Sequence, residues 1–440
     1  MSLVSLYMLL LTVSFSPALS QVDPVKEQGT RPYGSHDFTD IDSVNLQNGG
    51  LSVKIPIFSY AQRGKFGATV ELLASGKQWN VIRTCNTYQG YCTGKWGIIA
   101  PVYSNALRRY PNAAGVGLAV DDGAMDLMNE PVLKQQANGH FVQSPVYSAV
   151  DIEGGSHPFY GNTSYGDFTV DGSGIVRPID YGSVIGRDGT KKTSSPTPLV
   201  EDVNGNIEQS TSGPSVGQDS LGRSGIYNAL SNAQTLSDTS GCQGSQPIVD
   251  VKLVSLPGPN GGTRQIKLCS ITSVGTTNFN ALYYEQGSPS DQSSVTEGSF
   301  TTNLLQSVAV YDGVSWTTSP TWIFEYNNNT QTSGSENYFD LTKITLPTGG
   351  TISYTWITHS INPGSSCGLT DKSRYVAKRT VDAKDGSPAQ ISIFAYNPGR
   401  VTDAQGNYVV HQFGGQGCNT YETQTEWHEL SSDQQQDVTV

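Results

Sequence analysis

The chain carries six histidines, His36, His140, His157, His359, His411 and His428, the side chains best suited to moving protons near neutral pH or binding a metal. None stands in an HExxH motif or another close pair with ligand spacing, and no paired nucleophile is in view, so each reads as a surface or core residue. Asp121 with Asp122, Asp382 with Asp385, and Glu426 with Glu429 are carboxylate pairs of the kind a glycosidase uses. Closeness in sequence does not set the separation that hydrolysis needs, and they read as turn and surface residues. Asp202-Val203-Asn204-Gly205-Asn206-Ile207-Glu208 offers the alternating oxygens that begin a calcium loop. Its glycine falls at the fourth place instead of the sixth, and no glutamate follows at the twelfth. The sequence therefore predicts no catalytic, cofactor-binding or metal-ligating residue, and no cofactor.

The elements that must position any chemistry are strands and tight turns. Residues 341–356, LTKITLPTGGTISYTW, place two alternating stretches around Pro347-Thr348-Gly349-Gly350, which predicts a β-hairpin with Ile352, Tyr354 and Trp356 on one face. RTVDAKDG (379–386), ISIFAY (391–396) and VTDAQGNYVV (401–410) continue the pattern. Asn48-Gly49-Gly50 lies between 42–47 and 51–57, a strong hairpin signal, with Pro56 suggesting an edge or strand end. Further strands are expected at 247–256 and 264–272, and a hairpin is expected from 307–311 and 314–317 around Asp312-Gly313. One short helix is expected within 121–136, bounded by Gly123 and Pro131.

Asp-x-x-Gly-Asn/Arg occurs as Asp202–Asn206, Asp219–Arg223 and Asp403–Asn407, where the Asp carboxylate can take the backbone N–H two residues on and Gly accepts a positive φ. Together with the 341–356 hairpin, these turns resemble the RHS/YD-repeat family, over about the last hundred residues and in part over 180–225. The tandem Tyr-Asp of that family is represented only by Tyr311-Asp312. The resemblance implies a strip of β-strands wound into a hollow shell around a polypeptide cargo, commonly a C-terminal toxin. No toxin domain or self-cleaving aspartate motif follows residue 413, so the architecture is carried over without the cargo. It also points to a bacterial source, where the sequons at Asn162 and Asn328 would carry no glycan.

Residues 1–20 hold an apolar run at 6–15 and end in Ala18-Leu19-Ser20, which reads as a cleaved secretory signal; no other segment approaches transmembrane length. Six cysteines suit an oxidising compartment, and order along the chain suggests Cys85/Cys92, Cys242/Cys269 and Cys367/Cys418. The 85/92 pair lacks the second half that zinc needs. A net charge of −12 and a pI near 4.9 oppose nucleic-acid binding. With 48 glycines, 22 prolines and 36% hydrophobic residues, the composition fits many short strands.

The expected fold is mostly β: tandem hairpins stacked into a curved sheet or partial RHS-like β-shell, with an irregular N-terminal β region. The expected order is a signal at 1–20, a leader arm at 21–40, a β-rich region at 41–189, and a Ser/Thr/Gly-rich insertion or short hairpins at 190–246. An RHS-like array at 247–413 and a polar tail at 414–440 follow. Tyr354, Trp356, Phe394 and Tyr396 would line one surface, as core or as a stacking surface for sugars. The functional expectation is a secreted or cell-surface, non-catalytic structural and binding module, contacting an envelope glycan or enclosing or presenting a polypeptide. The alternative is a secreted glycan-active enzyme whose carboxylates converge in the fold.

Overall fold

The structure, a computed structural model, describes most of the chain from residue 35 to residue 439. Outside it lie 1–34, 63–66, 102–108, 136–140, 161–165, 194–198, 210–218, 328–335, 361–371 and 430–435, with stretches of one to three residues elsewhere. The described chain is almost wholly antiparallel β, its hairpins building sheets of which one curls into a half-barrel. Among the described residues the helical content is one 3-10 turn, Pro259–Gly261.

A six-stranded sheet runs His36–Phe38, Asp42–Asn45, Leu51–Ala61, Gly67–Ser75, Gly117–Asp121 and Arg109–Tyr110 in spatial order. Alternation explains its inner face: Leu51, Val53 and Ile55 are buried, with Ser52 and Lys54 between them less so. Pro56 lies in an interior strand, where the register shifts between Pro56 and Phe58. Pairing with Asp42–Asn45 ends at Val53, and Lys54 gives its N–H to Ile41 on that side, so Pro56 turns its missing N–H to a side with no described partner strand, as expected of an edge, and the bulge follows it. A nine-stranded sheet follows as an unbroken meander from Asp126–Gln135 to Ile207–Gln209. A thirteen-stranded sheet then runs from Gln234–Thr235 to Gln436–Thr439. Leu282–Glu285 and Ser288–Thr296 leave it to join the hairpin Trp79–Tyr88/Tyr91–Pro101, through a parallel pairing of Val295 with Gly97.

One turn recurs through both long meanders. At 151–155, 186–190, 202–206, 346–350 and 403–407, the first residue donates its N–H to the carbonyl of the fifth, and the fourth donates back to the first. These bonds measure 2.8 to 3.2 Å. The fourth residue is always Gly, with φ between 75° and 95°, a region costly for any side chain bearing a Cβ. In Asp202–Asn206 and Asp403–Asn407 the Asp Oδ1 accepts the N–H of the third and fifth residues, and Oδ2 accepts the Asn Nδ2–H at 2.9 and 2.8 Å. Asp219 makes the same bonds and receives Arg223 Nε at 2.6 Å. The aspartate thus satisfies turn donors that no ladder reaches.

The six-stranded and thirteen-stranded sheets share one core. Val44, Leu51, Val70, Leu72 and Leu118 of the first pack with Val254, Leu268, Leu304, Phe324, Ile344 and Phe394 of the second. Trp79 stacks on Phe339 at 5.3 Å, and its Nε1–H reaches the Tyr338 carbonyl. The nine-stranded sheet has a separate small core of Ala149, Ile175 and Val184.

Several sequence expectations need correction. The segment 121–136 is not helical: Asp126–Gln135 is a strand paired over its length with Phe141–Val150, long-range pairing having overridden local signals. Residues 314–317 form no strand. Asp312 gathers the N–H groups of Val314 and Ser315 and the Thr318 hydroxyl into a loop, and Ser299–Val310 pairs directly with Thr321–Tyr326. The chain from 414 is no loose tail, because Asn419–Glu429 pairs with Tyr408–Gln416 and then with Gln436–Thr439. Its polar alternation is that of a strand at the solvated end of a sheet. The leader arm contributes the strand His36–Phe38, while 21–34 and the signal segment lie outside the described residues.

Candidate binding cleft

The N-terminal strap, residues 35–50, is fixed to strands more than three hundred positions later. Arg379 donates Nη2–H to Asp37 at 2.6 Å and Nη1–H to Asp42 at 3.3 Å, and the Tyr354 hydroxyl donates to Asp42 at 2.6 Å. Ser35 bonds Glu422, and Val376 donates its N–H to the Gly49 carbonyl. Gly49 is obligatory twice over: its φ is 65°, and a Cβ would lie 2.1 Å from Tyr375 Cδ1.

Beside this strap the last strands of the long sheet leave a cleft of about 440 Å³. Its walls include His36, Asp37 and Leu46 from the strap, and Val401, His411 and Trp427 from the sheet. Register explains the floor: Phe394, Val401, Val409 and Trp427 occupy one cross-strand row. Phe394 is in the core, and the row emerges to Trp427, which is 44% exposed. The carboxylates at the cleft are mostly committed. Asp37 is ion-paired to Arg379, burial still pushing it above its usual range, and Asp403 is spent on its turn, which leaves the exposed Glu429. Both His36 ring nitrogens are buried without a hydrogen-bond partner, and burial pushes its pKa down to about 4. His411 Nδ1 lies 2.8 Å from Glu422 Oε1. Burial pushes Glu422 up, but hydrogen bonds from Ser35, Thr425 and His411 outweigh it and hold the carboxyl below its usual range.

Of the remaining histidines, His428 also lines the cleft with His36 and His411, whereas His157 and His359 lie away from it. His157 is buried, 3.6 Å from Asp151, and His359 packs edge-on against Tyr375. His428 stacks on Tyr408 and sits 3.4 Å from Glu426, and His140 lies outside the described residues. No group of three or more His, Cys, Asp or Glu among the described residues could hold a metal. Asp202 binds its own turn, in place of calcium geometry. Asp382, half-buried, and Asp385, exposed, are turn carboxylates held below their usual range by hydrogen bonds from Lys384 and Ser387. Tyr354 and Phe394 are buried, and Trp356 and Tyr396 pack against the same core, so this stripe is core and not a sugar platform. Cys242–Cys269 is a disulfide; the side chains of the other two expected pairs lie outside the described residues, as do both sequons.

Sequence reasoning missed a second constellation. Lys54 Nζ lies 3.3 Å from Asp121, 3.5 Å from Glu153 and 3.6 Å from Glu71. Glu71 is fully buried, and burial pushes its pKa up to about 7. Only the adjacency of three strands and one distant turn creates it, so no local spacing could have announced it. Gly213-Pro214-Ser215-Val216-Gly217 also has the spacing of a nucleophile elbow, within residues outside the description. An elbow needs a helix after it, and no α-helix is present among the described residues. No protein-family model matches the chain, and no curated protein matches it.

Proposed function

We propose that the chain is a secreted or cell-surface, non-catalytic structural and binding module related to RHS/YD-repeat proteins. Its stacked hairpins enclose or present a polypeptide, or contact an envelope glycan. The observation that carries this reading is the recurring five-residue turn, whose Asp-x-x-Gly-Asn form closes hairpins in both long meanders with one set of hydrogen bonds. A turn repeated in this way builds extended sheet rather than an active site. The Cys242–Cys269 disulfide and the signal-like residues 1–20 support an extracytoplasmic setting. The enzyme alternative is weaker. Among the described residues the carboxylates that converge surround a cation, Glu71, Asp121 and Glu153 about Lys54 and Asp37 and Asp42 about Arg379, and the cleft holds no pair of uncommitted acids.

The test is paired glycan-array and peptide-array binding with the wild type and Trp427→Ala, with product analysis of every bound glycan. Binding without cleavage that falls at least tenfold in the variant supports the module. Turnover of a bound glycan overturns the non-catalytic reading. N-terminal sequencing of protein exported from a bacterial host should begin at Gln21, and an intact Met1 would remove the signal.

A further inference from the structure

We propose that the 151–155 turn is a proton-operated clasp: it docks the nine-stranded sheet onto the six-stranded sheet when Glu71 is protonated and loosens when Glu71 ionises. The chain crosses between these sheets just beside the cluster, from Gly117–Asp121 to Asp126–Gln135, with Asp121 Oδ1 accepting the N–H of Gly123. Lys54, Glu71 and Asp121 belong to the first sheet, on three successive strands with that of Glu71 in the middle. Glu153 alone comes from the other sheet, carried by the Asp151–Gly155 turn, and reaches Lys54 at 3.5 Å. The two sheets keep separate apolar cores, so this polar contact bears directly on how they meet; the nine-stranded sheet also lies alongside the hairpin Trp79–Tyr88/Tyr91–Pro101.

Charge decides the direction. One ammonium faces three carboxylates, so the ionised cluster is net −2, and a proton on Glu71 brings it to −1. Glu71 is the member that takes the proton: it is fully buried and neither oxygen has a hydrogen bond, whereas Asp121 and Glu153 are partly open to water. The groups facing it are Lys54, Asp121 and Glu153, with the Asp151–His157 pair beginning at the clasping turn. Linkage makes the effect reciprocal: the factor by which Glu153 strengthens proton binding at Glu71 is the factor by which ionised Glu71 weakens the seating of Glu153. A coupling of one pH unit is a tenfold change in that seating.

Hydrogen–deuterium exchange of the full chain, corrected for intrinsic rates and followed from pH 5.5 to 8.5, tests this. In the wild type, protection of 151–155 should fall about tenfold across the range while the Thr263–Thr276 strand stays protected. Glu71→Gln should hold the turn protected throughout, and Glu153→Gln should leave it weakly protected and insensitive to pH. Flat wild-type protection overturns the clasp, even if Glu71→Gln fails to fold. The same pH response persisting in Glu71→Gln overturns it as well.

Discussion

Arg379 shows how strongly single side chains hold the strap. Its guanidinium is buried between Asp37 and the fully buried Asp42, which also receives the Tyr354 hydroxyl. Removing one partner of a buried ion pair leaves an uncompensated charge, so Arg379→Met should cost about 3–5 kcal/mol in urea denaturation. Arg379→Met combined with Asp42→Asn should recover part of that. His36 gives a pH signature of opposite sign to Glu71. Its folded pKa lies below its unfolded one, so its contribution is complete above pH 6.5 and lost as pH falls toward 4, about 3 kcal/mol in all. The stability difference between wild type and His36→Gln should therefore shrink between pH 7 and pH 4.5; a constant difference would contradict the burial of an unpartnered imidazole.

At the scale of elements, the turns were legible where an Asp and a closing Asn or Arg framed five consecutive residues. Asp403-Ala404-Gln405-Gly406-Asn407 announces its own hydrogen bonds, and Asp202–Asn206 does the same. Asp151-Ile152-Glu153-Gly154-Gly155 makes the identical backbone pair yet lacks the closing Asn or Arg, and so went unread. The helix expected at 121–136 failed for the opposite reason: local punctuation was clear, but pairing with Phe141–Val150 decided the outcome. The cleft and the Lys54 cluster were illegible because they join residues tens to hundreds of positions apart. The glycines separate two effects. Gly205 has φ 75° and open space around it, so Gly205→Ala should cost only backbone strain, about 1–2 kcal/mol by thermal melting. Gly49→Ala adds overlap with the Tyr375 ring and should prevent the strap from seating, read as loss of protection at the Val376 amide.

Across the whole molecule, one core joins the opening sheet to the long meander, while the middle sheet has its own small core. Cys242–Cys269 ties the loop between Gln234–Thr235 and Asp250–Pro257 to Thr263–Thr276, the third strand from that end of the long sheet, across a separation of 27 residues. Reduction should therefore lower stability by about 3–4 kcal/mol on a loop-entropy basis, seen as a shifted denaturation midpoint in dithiothreitol. The fold class was recoverable from sequence because alternation and turns recur everywhere; the partnership between sheets was not, because it is written in the burial of Val44 and Leu51 against strands near the other end. That partnership sets an order of events at the ribosome. Asp42 emerges long before Arg379, some 337 positions later. At about 5–20 residues per second, the apolar face of the first sheet waits roughly 15–70 s for its cover. During that interval the nascent chain presents Leu51, Val53, Val70 and Leu72 to the cell, which makes holdase chaperones, rather than any final contact, the gatekeepers of its yield.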